Sequence, residues 1–228
     1  MRKGYEGTGP GPITPDGCAV DMYARLPVGN EPDVIEAAVP PGASILELGS
    51  GAGRVTHPLI ARGFAVTAVD ESPDMLARIS GARRTVHASI EELDLDERFD
   101  VVMLASFLVH TGDPAVRRGM LRTCRKHLKD GGRILIQREG ADWHTNVPRE
   151  RVDPSGYRVR IVSSEPVGDG VHSVHGEYTF ADATWTQTFR SRPMTPAQLE
   201  ECLAEADLET EAVLTDDGTW IKVRPLAS

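Results

Sequence analysis

A turn with three alternating glycines, between a predicted strand and a predicted helix, constrains the fold of this chain more than any other feature. Residues 45–56 read I-L-E-L-G-S-G-A-G-R-V-T, so an apolar run with one acid precedes Gly49, Gly51 and Gly53. Glycine tolerates positive φ and leaves backbone amides uncovered, and a helix opening near Arg54 adds the positive end of its dipole. The turn therefore predicts a site for a nucleoside-bearing cofactor at the end of a buried strand.

The residues around the glycines discriminate between cofactor classes. A dinucleotide-binding turn has the pattern G-x-G-x-x-G, but Arg54 stands where the third glycine belongs. Glu47 would also direct a carboxylate towards an incoming pyrophosphate. The G-K-[ST] pattern of a P-loop is absent from the whole sequence. A cofactor without phosphate groups fits these residues better.

The pattern E-x-G-x-G-x-G at residues 47–53 resembles motif I of the class I S-adenosylmethionine-dependent methyltransferases, and residues 31–137 carry most of the resemblance. It implies an α/β fold with a doubly wound, Rossmann-like sheet of seven strands, and S-adenosylmethionine as the cofactor. A second strand at residues 64–70 ends in Asp70, where a carboxylate can accept both ribose hydroxyls. Helix capping is the alternative role, but Ser72 already supplies a cap, which leaves Asp70 for the cofactor.

Further cofactor contacts are predicted at the ends of the next two strands. Where the family commonly has an acid that reads adenine, this chain has Ser89, a weaker acceptor. Ile90 and Met75 would flank the adenine or serve as ordinary core residues. The nearly all-apolar strand at residues 99–105 is typical of a central parallel strand, and its end would face the methionine part. The predicted cofactor residues are Glu47, Gly49, Ser50, Gly51, Gly53, Asp70, Glu71, Met75, Ser89, Ile90, Ala105 and Ser106.

Three residues are candidates for a general base. Alignment and exclusion of water accelerate methyl transfer from a sulfonium, so a base is not obligatory, although a phenol or alcohol acceptor would gain from one. His144, in the segment E-G-A-D-W-H after the fifth strand, is the first candidate, followed by His110 and Tyr23. A structural or solvent-exposed histidine is the alternative interpretation at both histidine positions.

The pattern of elements changes after the fifth strand. A helix is predicted to begin after Asp113 and to end at the glycine pair 131–132, ahead of a strand at residues 134–137. Residues 157–189 then alternate as antiparallel strands and form an insert, such as small-molecule N-methyltransferases carry over the active site or at a dimer interface. A capping box at Thr195 opens a last helix, and two strands complete the sheet.

Four regions are expected. They are an irregular N-terminal lid at residues 1–30, a cofactor-binding core at 31–140, an antiparallel acceptor-side cover at 141–194, and the final helix and strands at 195–228. The Gly- and Pro-rich N-terminus favours irregular structure, and residues 5–25 would close over the acceptor. A disordered tail is the alternative.

Composition restricts the partners. A net charge of -9 and a pI near 5.3 argue against nucleic acid. The sequence has neither an apolar run of membrane-spanning length nor a signal-peptide core, so we expect a cytoplasmic location and no membrane partner. Three widely spaced cysteines, Cys18, Cys124 and Cys202, predict neither a disulfide framework nor a metal site. The excess of arginine over lysine is typical of a GC-rich bacterial genome.

The resemblance implies transfer of a methyl group from S-adenosylmethionine to nitrogen or oxygen of a small-molecule acceptor, such as a natural-product intermediate. Two alternatives stay open: an S-adenosylmethionine-using enzyme that does not methylate, and a non-catalytic binding subunit. An NAD-dependent oxidoreductase is a weaker third. The resemblance also leaves a homodimer open, and no recognised motif identifies the acceptor.

Overall fold

The computed structural model describes residues 1–226, which divide into two compact units. The core unit comprises residues 27–140 and 194–226, and the antiparallel unit comprises residues 1–26 and 141–193. In chain order, the strands are β1 (Glu6–Thr8), β2 (Ser44–Leu48), β3 (Ala65–Asp70), β4 (Arg84–His87), β5 (Phe99–Leu104), β6 (Leu128–Gln137), β7 (Arg149–Val152), β8 (Arg158–Gly168), β9 (Val171–Thr179), β10 (Thr184–Ser191), β11 (Leu208–Val213) and β12 (Trp220–Pro225). The helices are α1 (Val20–Tyr23), α2 (Glu31–Ala38), α3 (Thr56–Ala61), α4 (Pro73–Leu76), α5 (Pro114–Lys126) and α6 (Pro196–Ala204). Within residues 1–226, no helix combines the length and apolarity that a membrane span requires.

The core unit is built on a seven-stranded sheet with the order β11-β12-β6-β5-β2-β3-β4. The strands β4, β3, β2, β5 and β6 run parallel, whereas β12 is antiparallel to both of its neighbours. Alternate residues of β2 enter different apolar clusters, with Ile45 in one and Leu46 in the other, so both faces of the sheet are covered. The predicted doubly wound α/β fold is therefore confirmed, and the carboxyl ends of its parallel strands share one edge.

The helix predicted to run to the glycine pair is shorter than expected. Helix α5 ends at Lys126, and His127 closes it with its Nδ1 2.9 Å from the carbonyl oxygen of Thr123. Leu128 already pairs with Phe99 on β5, and the glycine pair 131–132 lies inside β6. The prediction was wrong because pairing with the neighbouring strand, rather than the glycines, ends the helix.

The antiparallel unit contains a five-stranded sheet with the order β1-β10-β9-β8-β7. The antiparallel insert predicted from the alternation is confirmed, and the structure adds two short strands, β1 and β7. The N-terminal segment is only partly irregular, because β1 pairs with β10 and α1 follows it. Ala19 and Met22 pack with Trp185 in a small apolar cluster.

The two faces of the antiparallel sheet differ in chemistry. On β10, Trp185, Gln187 and Ser191 are buried, and with Phe189 they mark what we call the covered face. The intervening residues are threonines and one arginine, so the opposite face is polar. This alternation places two separate sets of polar side chains on one sheet.

Candidate cofactor site

The glycine turn follows directly after β2 in the core unit. Gly49, Gly51 and Gly53 have φ values of +72°, +55° and +89°, which a side chain would strain. The amides of Gly49 and Ser50 donate to the carbonyl of Val69 at 2.9 Å each, which fixes the turn against the end of β3. A Cβ on Gly51 would meet nothing within 4 Å. The turn is therefore rigidly held and open at its centre.

Asp70 joins the glycine turn to the start of α4. Its Oδ2 accepts the amide of Gly51 at 2.8 Å, and its Oδ1 accepts the amide of Ser72 at 2.9 Å. Ser72 caps α4 as predicted, since its hydroxyl accepts the amide of Met75. The expectation that this cap leaves Asp70 without a structural role was wrong, because both carboxylate oxygens hold the backbone. A carboxylate has about four acceptor sites, which makes this residue type suited to ribose hydroxyls.

Glu47 is a buried acid behind the turn. The hydroxyl of Thr56, the first residue of α3, donates to its Oε2 at 2.6 Å. Burial raises the pKa of Glu47 to about 7, and neither the Thr56 hydrogen bond nor the charge of Arg54 offsets this, while Asp70 adds to it. At neutral pH this carboxyl therefore lies between its two protonation states, and a nearby cation would favour the charged one.

Arg54, the residue that distinguishes this turn from a dinucleotide motif, forms an ion pair with Glu31. Their side chains meet at 2.6 Å between Nη1 and Oε1, and both are largely buried. Glu31 also accepts the amide of Gly29 at 2.8 Å ahead of α2. The sequence analysis missed Glu31, because an acid in the first turn of a helix is an ordinary feature until the fold brings its partner to it.

The predicted adenine-side residues lie around the ends of β3 and β4. Met75 and Ile90 are both buried in the core unit, and the Ile90 side chain reaches the glycine turn, 3.6 Å from where a Cβ of Gly49 would lie. Ser89 is half-buried and its hydroxyl donates to Glu92 at 3.3 Å. The carbonyl of Glu71 lies 3.0 Å from the Nε2 of a histidine on β4. The fold thus gathers these side chains at the same edge as Asp70.

The segment after β5 has a strained backbone. Ser106 and Phe107 have φ values of +54° and +61°, in a region that residues other than glycine seldom adopt. The amide of Ser106 donates to the side-chain oxygen of Gln137 at 2.9 Å, and this buried glutamine ends β6. Ala105, just before them, is buried. Nothing in the sequence indicates this geometry, because neither serine nor phenylalanine is typical of it.

His110, a predicted base, is held by Glu139. Its Nε2 accepts the amide of Glu139 at 3.0 Å, and its Nδ1 lies 3.3 Å from the Oε2 of the same residue. Both side chains are buried, with relative exposures of 4% and 2%. Glu139 therefore engages both ring nitrogens, an arrangement that orients the imidazole rather than presenting it as a base.

The other two candidate bases, Tyr23 and His144, lie in the antiparallel unit and not in the core unit. The hydroxyl of Tyr23 donates to Gln187 at 3.3 Å, and burial, with the neighbouring Cys18, raises the pKa of Tyr23 well above its usual value. Tyr23 therefore keeps its proton at neutral pH, which argues against its predicted role. The ring nitrogens of His144 lie 2.7 Å from Ser164 Oγ and 3.3 Å from Ser191 Oγ.

The cysteines and the other common metal ligands form no recognisable centre. Cys18, Cys124 and Cys202 are free thiols. Over residues 1–226, no three His, Cys, Asp or Glu side chains are grouped so that they could bind a metal ion. The polar groups described above are therefore the candidates for ligand binding in the core unit.

A family model described as a methyltransferase domain matches residues 46–134, from β2 into β6. The matched range contains the glycine turn and Asp70. The chain contains a methyltransferase domain over these residues. The predicted family and cofactor are thereby confirmed.

Relatives of this methyltransferase domain come from bacteria. The ubiquinone biosynthesis O-methyltransferase of Caulobacter vibrioides is 32% identical over 109 residues, which are 42% of this chain and 40% of that protein. The CcbJ methyltransferase of Streptomyces caelestis matches with a TM-score of 0.72 and 20% identity, over 91% of this chain and 96% of that one. CalS10, an amino pentose methyltransferase of Micromonospora echinaspora solved with its cofactor bound, matches with a TM-score of 0.65 and 22% identity, over 91% and 92%. The two structures show a shared fold, and the chain spans less than half of the Caulobacter relative's length.

The residues of the methyltransferase domain fit S-adenosylmethionine. Gly51 leaves space at the centre of the turn, and the carboxylate of Asp70 accepts the Gly51 amide. Glu47 offers a carboxyl that a cation would ionise. Arg54 is committed to Glu31 and offers no cation for a phosphate. These features suit a cationic nucleoside better than a dinucleotide.

Proposed function

We propose that this protein transfers a methyl group from S-adenosylmethionine to nitrogen or oxygen of a small-molecule acceptor. The observation that carries the proposal is a pair of carboxyl groups in the matched domain: Glu47 precedes the glycine turn, and Asp70 accepts the Gly51 amide within it. One carboxylate suits ribose hydroxyls, and the other suits the cationic methionine part. S-adenosylmethionine supplies an activated methyl group, so the protein's own task is to position and desolvate the reactants.

The other predicted contacts take their roles from their places at the sheet edge. Ser89, Ile90, Met75 and Glu71 would surround the adenine, because they lie beyond the ends of β3 and β4. Ser50, Ala105 and Ser106 would contact the methionine part from the ends of β2 and β5, together with the three glycines. The rigid backbone after β5 supports this assignment, since strained segments often hold reacting groups in place.

The acceptor is proposed to be a metabolite, such as a natural-product intermediate. Two relatives support this class: one is named for ubiquinone biosynthesis and the other is an amino pentose methyltransferase. We assign acceptor binding to the antiparallel unit, with residues 1–30 as its lid and residues 141–194 as its cover. In support, this unit has buried polar side chains, among them Gln187 and Ser191, on one face of its sheet.

His144 is the general base in this proposal, whereas His110 orients neighbouring groups through Glu139. The side chain of His144 is hydrogen-bonded to serines, which can exchange donor and acceptor roles with it. An alcohol or phenol acceptor gains from a base of this kind. For an amine acceptor, His144 would take up the proton that nitrogen releases on methylation.

Calorimetry and a turnover assay test the proposed function. The protein should bind S-adenosylmethionine and S-adenosylhomocysteine, and should not bind NAD. Incubation with a panel of amino sugars, phenols and hydroxylated aromatics should release S-adenosylhomocysteine together with a product heavier by one methylene. Cofactor consumption without S-adenosylhomocysteine would indicate a non-methylating enzyme. Tight binding without conversion across the panel would indicate a non-catalytic subunit.

Location, assembly and excluded partners stay predictions. A cytoplasmic place can be checked by cell fractionation, and a homodimer by analytical ultracentrifugation. The net charge of -9 predicts that the protein does not retard DNA or RNA in a gel-shift experiment.

A further inference from the structure

The covered face of the antiparallel sheet carries a cluster of two histidines and two serines. His144, from the segment before β7, places its Nδ1 2.7 Å from the Oγ of Ser164 on β8. The same Oγ lies 3.0 Å from the Nδ1 of His172 on β9. The Nε2 of His144 lies 3.3 Å from the hydroxyl of Ser191 on β10, a residue with 2% relative exposure. Three strands and one loop therefore converge on a single chain of hydrogen bonds.

The Ser164 hydroxyl restricts where the two imidazoles carry their protons. A hydroxyl has one proton to donate, and a neutral imidazole has one N–H group and one lone pair. When Ser164 donates to His172, the Nδ1 of His144 must carry the proton that Ser164 accepts. The Nε2 of His144 then has a lone pair and accepts the Ser191 hydroxyl. In the reverse arrangement Ser164 donates to His144, and each donor in the chain becomes an acceptor. In both arrangements, therefore, one histidine carries its proton on Nδ1 and the other on Nε2.

The two imidazoles lie close to each other and to an aromatic ring that carries a guanidinium. The ring centroids of His144 and His172 are 4.8 Å apart, close enough for two imidazolium cations to repel each other. Trp143 contacts His144 edge-on at 4.7 Å and carries the guanidinium of Arg149 over its ring at 4.6 Å. Arg192, directly after β10, donates to the carbonyl of residue 169.

We propose that His144, Ser164 and His172 form a proton relay, an inference that rests on the proposed methyl transfer. The proton that the acceptor atom releases forms a new N–H bond with the lone pair of His144 Nε2, in place of the Ser191 hydroxyl. The Nδ1–H bond of His144 breaks as its proton passes to Ser164 Oγ, and the original hydroxyl proton passes to Nδ1 of His172. His172, now a cation, releases its Nε2 proton to water. One proton thus travels from acceptor to solvent, and Ser164 and His172 position His144.

His175 provides a matched control on the same strand. It lies three residues after His172 on the opposite face of the sheet, and its Nδ1 is 3.0 Å from the hydroxyl of Thr188. This pair has the same chemistry as one half of the relay, since it joins one imidazole to one hydroxyl. A variant at His175 therefore removes a comparable hydrogen bond without touching the cluster.

Nitrogen chemical shifts of the imidazoles test the hydrogen-bonded chain without any turnover. In the wild type, His144 and His172 should show opposite tautomers. Ser164→Thr, which keeps a hydroxyl on a strand position that suits threonine, should preserve this relation, and Ser164→Ala should abolish it. Identical tautomers in the wild type, or an unchanged relation in Ser164→Ala, would overturn the relay.

Kinetics with an acceptor that the wild type methylates test the role of the chain. Ser164→Ala and His172→Asn should lower kcat about tenfold with KM changed less than about twofold, within the range of general-base effects. His175→Asn should stay within about twofold of the wild type in both constants, whereas Ser164→Thr should recover most of the kcat that Ser164→Ala loses. The solvent isotope effect should depend non-linearly on deuterium fraction in the wild type and linearly in Ser164→Ala. Wild-type kcat in a folded Ser164→Ala variant would overturn the relay alone, whereas no S-adenosylhomocysteine from the wild type would overturn the methyl transfer as well.

Discussion

The glycine turn of the core unit and the covered face of the antiparallel unit hold polar groups by opposite means. At the turn, the backbone itself sets the arrangement, because Gly51 has a positive φ and Asp70 binds main-chain amides. On the covered face, side chains such as His144 and Ser164 bind one another across an ordinary pleated sheet. The first arrangement suits a ligand whose shape is constant. The second can be altered by single side-chain substitutions.

Asp70→Ala should have the largest effect, because it removes both a proposed ligand contact and the bond that holds the Gly51 amide. We expect cofactor affinity to fall about 100-fold, since hydrogen bonds to charged groups contribute about 1.5–3 kcal/mol each. Calorimetry with S-adenosylhomocysteine measures this, with Asp74→Ala on the exposed side of α4 as the control. A folded Asp70→Ala variant with wild-type affinity would show that the turn does not depend on this carboxylate.

His110→Ala tests whether side-chain chemistry also matters inside the core unit. The substitution leaves the Glu139 carboxyl and amide buried without their imidazole contacts, at a cost of about 2 kcal/mol in the free energy of unfolding. Chemical denaturation measures it. His87→Ala, an exposed position on β4, should cost less than about 0.5 kcal/mol. Equal losses in the free energy of unfolding would mean that the buried pair of His110 and Glu139 contributes no more to stability than an exposed histidine.

Glu47→Gln should separate stability from binding. Because the pKa of Glu47 is raised from 4.5 to about 7 in the folded protein, its contribution to stability is full below pH 4.5 and is lost as pH rises through 7. Glutamine does not ionise, so the variant should melt at least about 3 °C above the wild type at pH 8.5, with a smaller difference at pH 5.

The same variant should bind S-adenosylmethionine about tenfold more weakly above pH 7, because it cannot supply a negative charge near the cation. The affinity of the wild type should rise with pH between 6 and 8, as Glu47 ionises, and that of Glu47→Gln should not. Calorimetry at several pH values measures this difference. Parallel pH profiles for the two proteins would remove Glu47 from the cofactor site.

Ser106→Gly should have the smallest effect and the opposite sign for stability. Glycine adopts the φ of +54° without strain, so the folded protein should gain about 1 kcal/mol. We expect kcat to fall a few-fold, because the segment after β5 is then less well fixed. Thermal melts and turnover measure the two effects, and Ser89→Gly, at a position of ordinary backbone geometry, is the control for the melts alone. A less stable Ser106→Gly variant would mean that the side chain, not the backbone, matters there.

The sequence predicts the core unit well wherever a residue type by itself indicates the local backbone conformation. Gly49 to Gly53 require positive φ, and apolar runs such as residues 99–105 mark parallel strands, so the fold and the edge that holds Asp70 follow from local patterns. Two buried contacts could not be predicted, because only the fold brings the partners together. They are the ion pair of Glu31 with Arg54 and the contacts of His110 with Glu139. The backbone strain at Ser106 could not be predicted, because serine is not typical of positive φ.

In the antiparallel unit the sequence predicts strands better than chemistry. The alternation in residues 157–189 marks β8 to β10, because a period of two survives in short segments. The edge strand β1 is only three residues long and lies among glycines, so it could not be distinguished from a loop. The cluster around His144 was invisible for a further reason: its serines and histidines are scattered over four elements.

The ion pair between Arg54 and Glu31 also bears on how this turn could change its cofactor. A step towards a dinucleotide motif would replace Arg54 by glycine, but Glu31 is buried, and it would then retain its charge without the guanidinium. Such an intermediate should be less stable before it gains any new affinity. Cofactor choice and folding are thus coupled by one contact outside the glycines, and a designed switch would have to change both residues together.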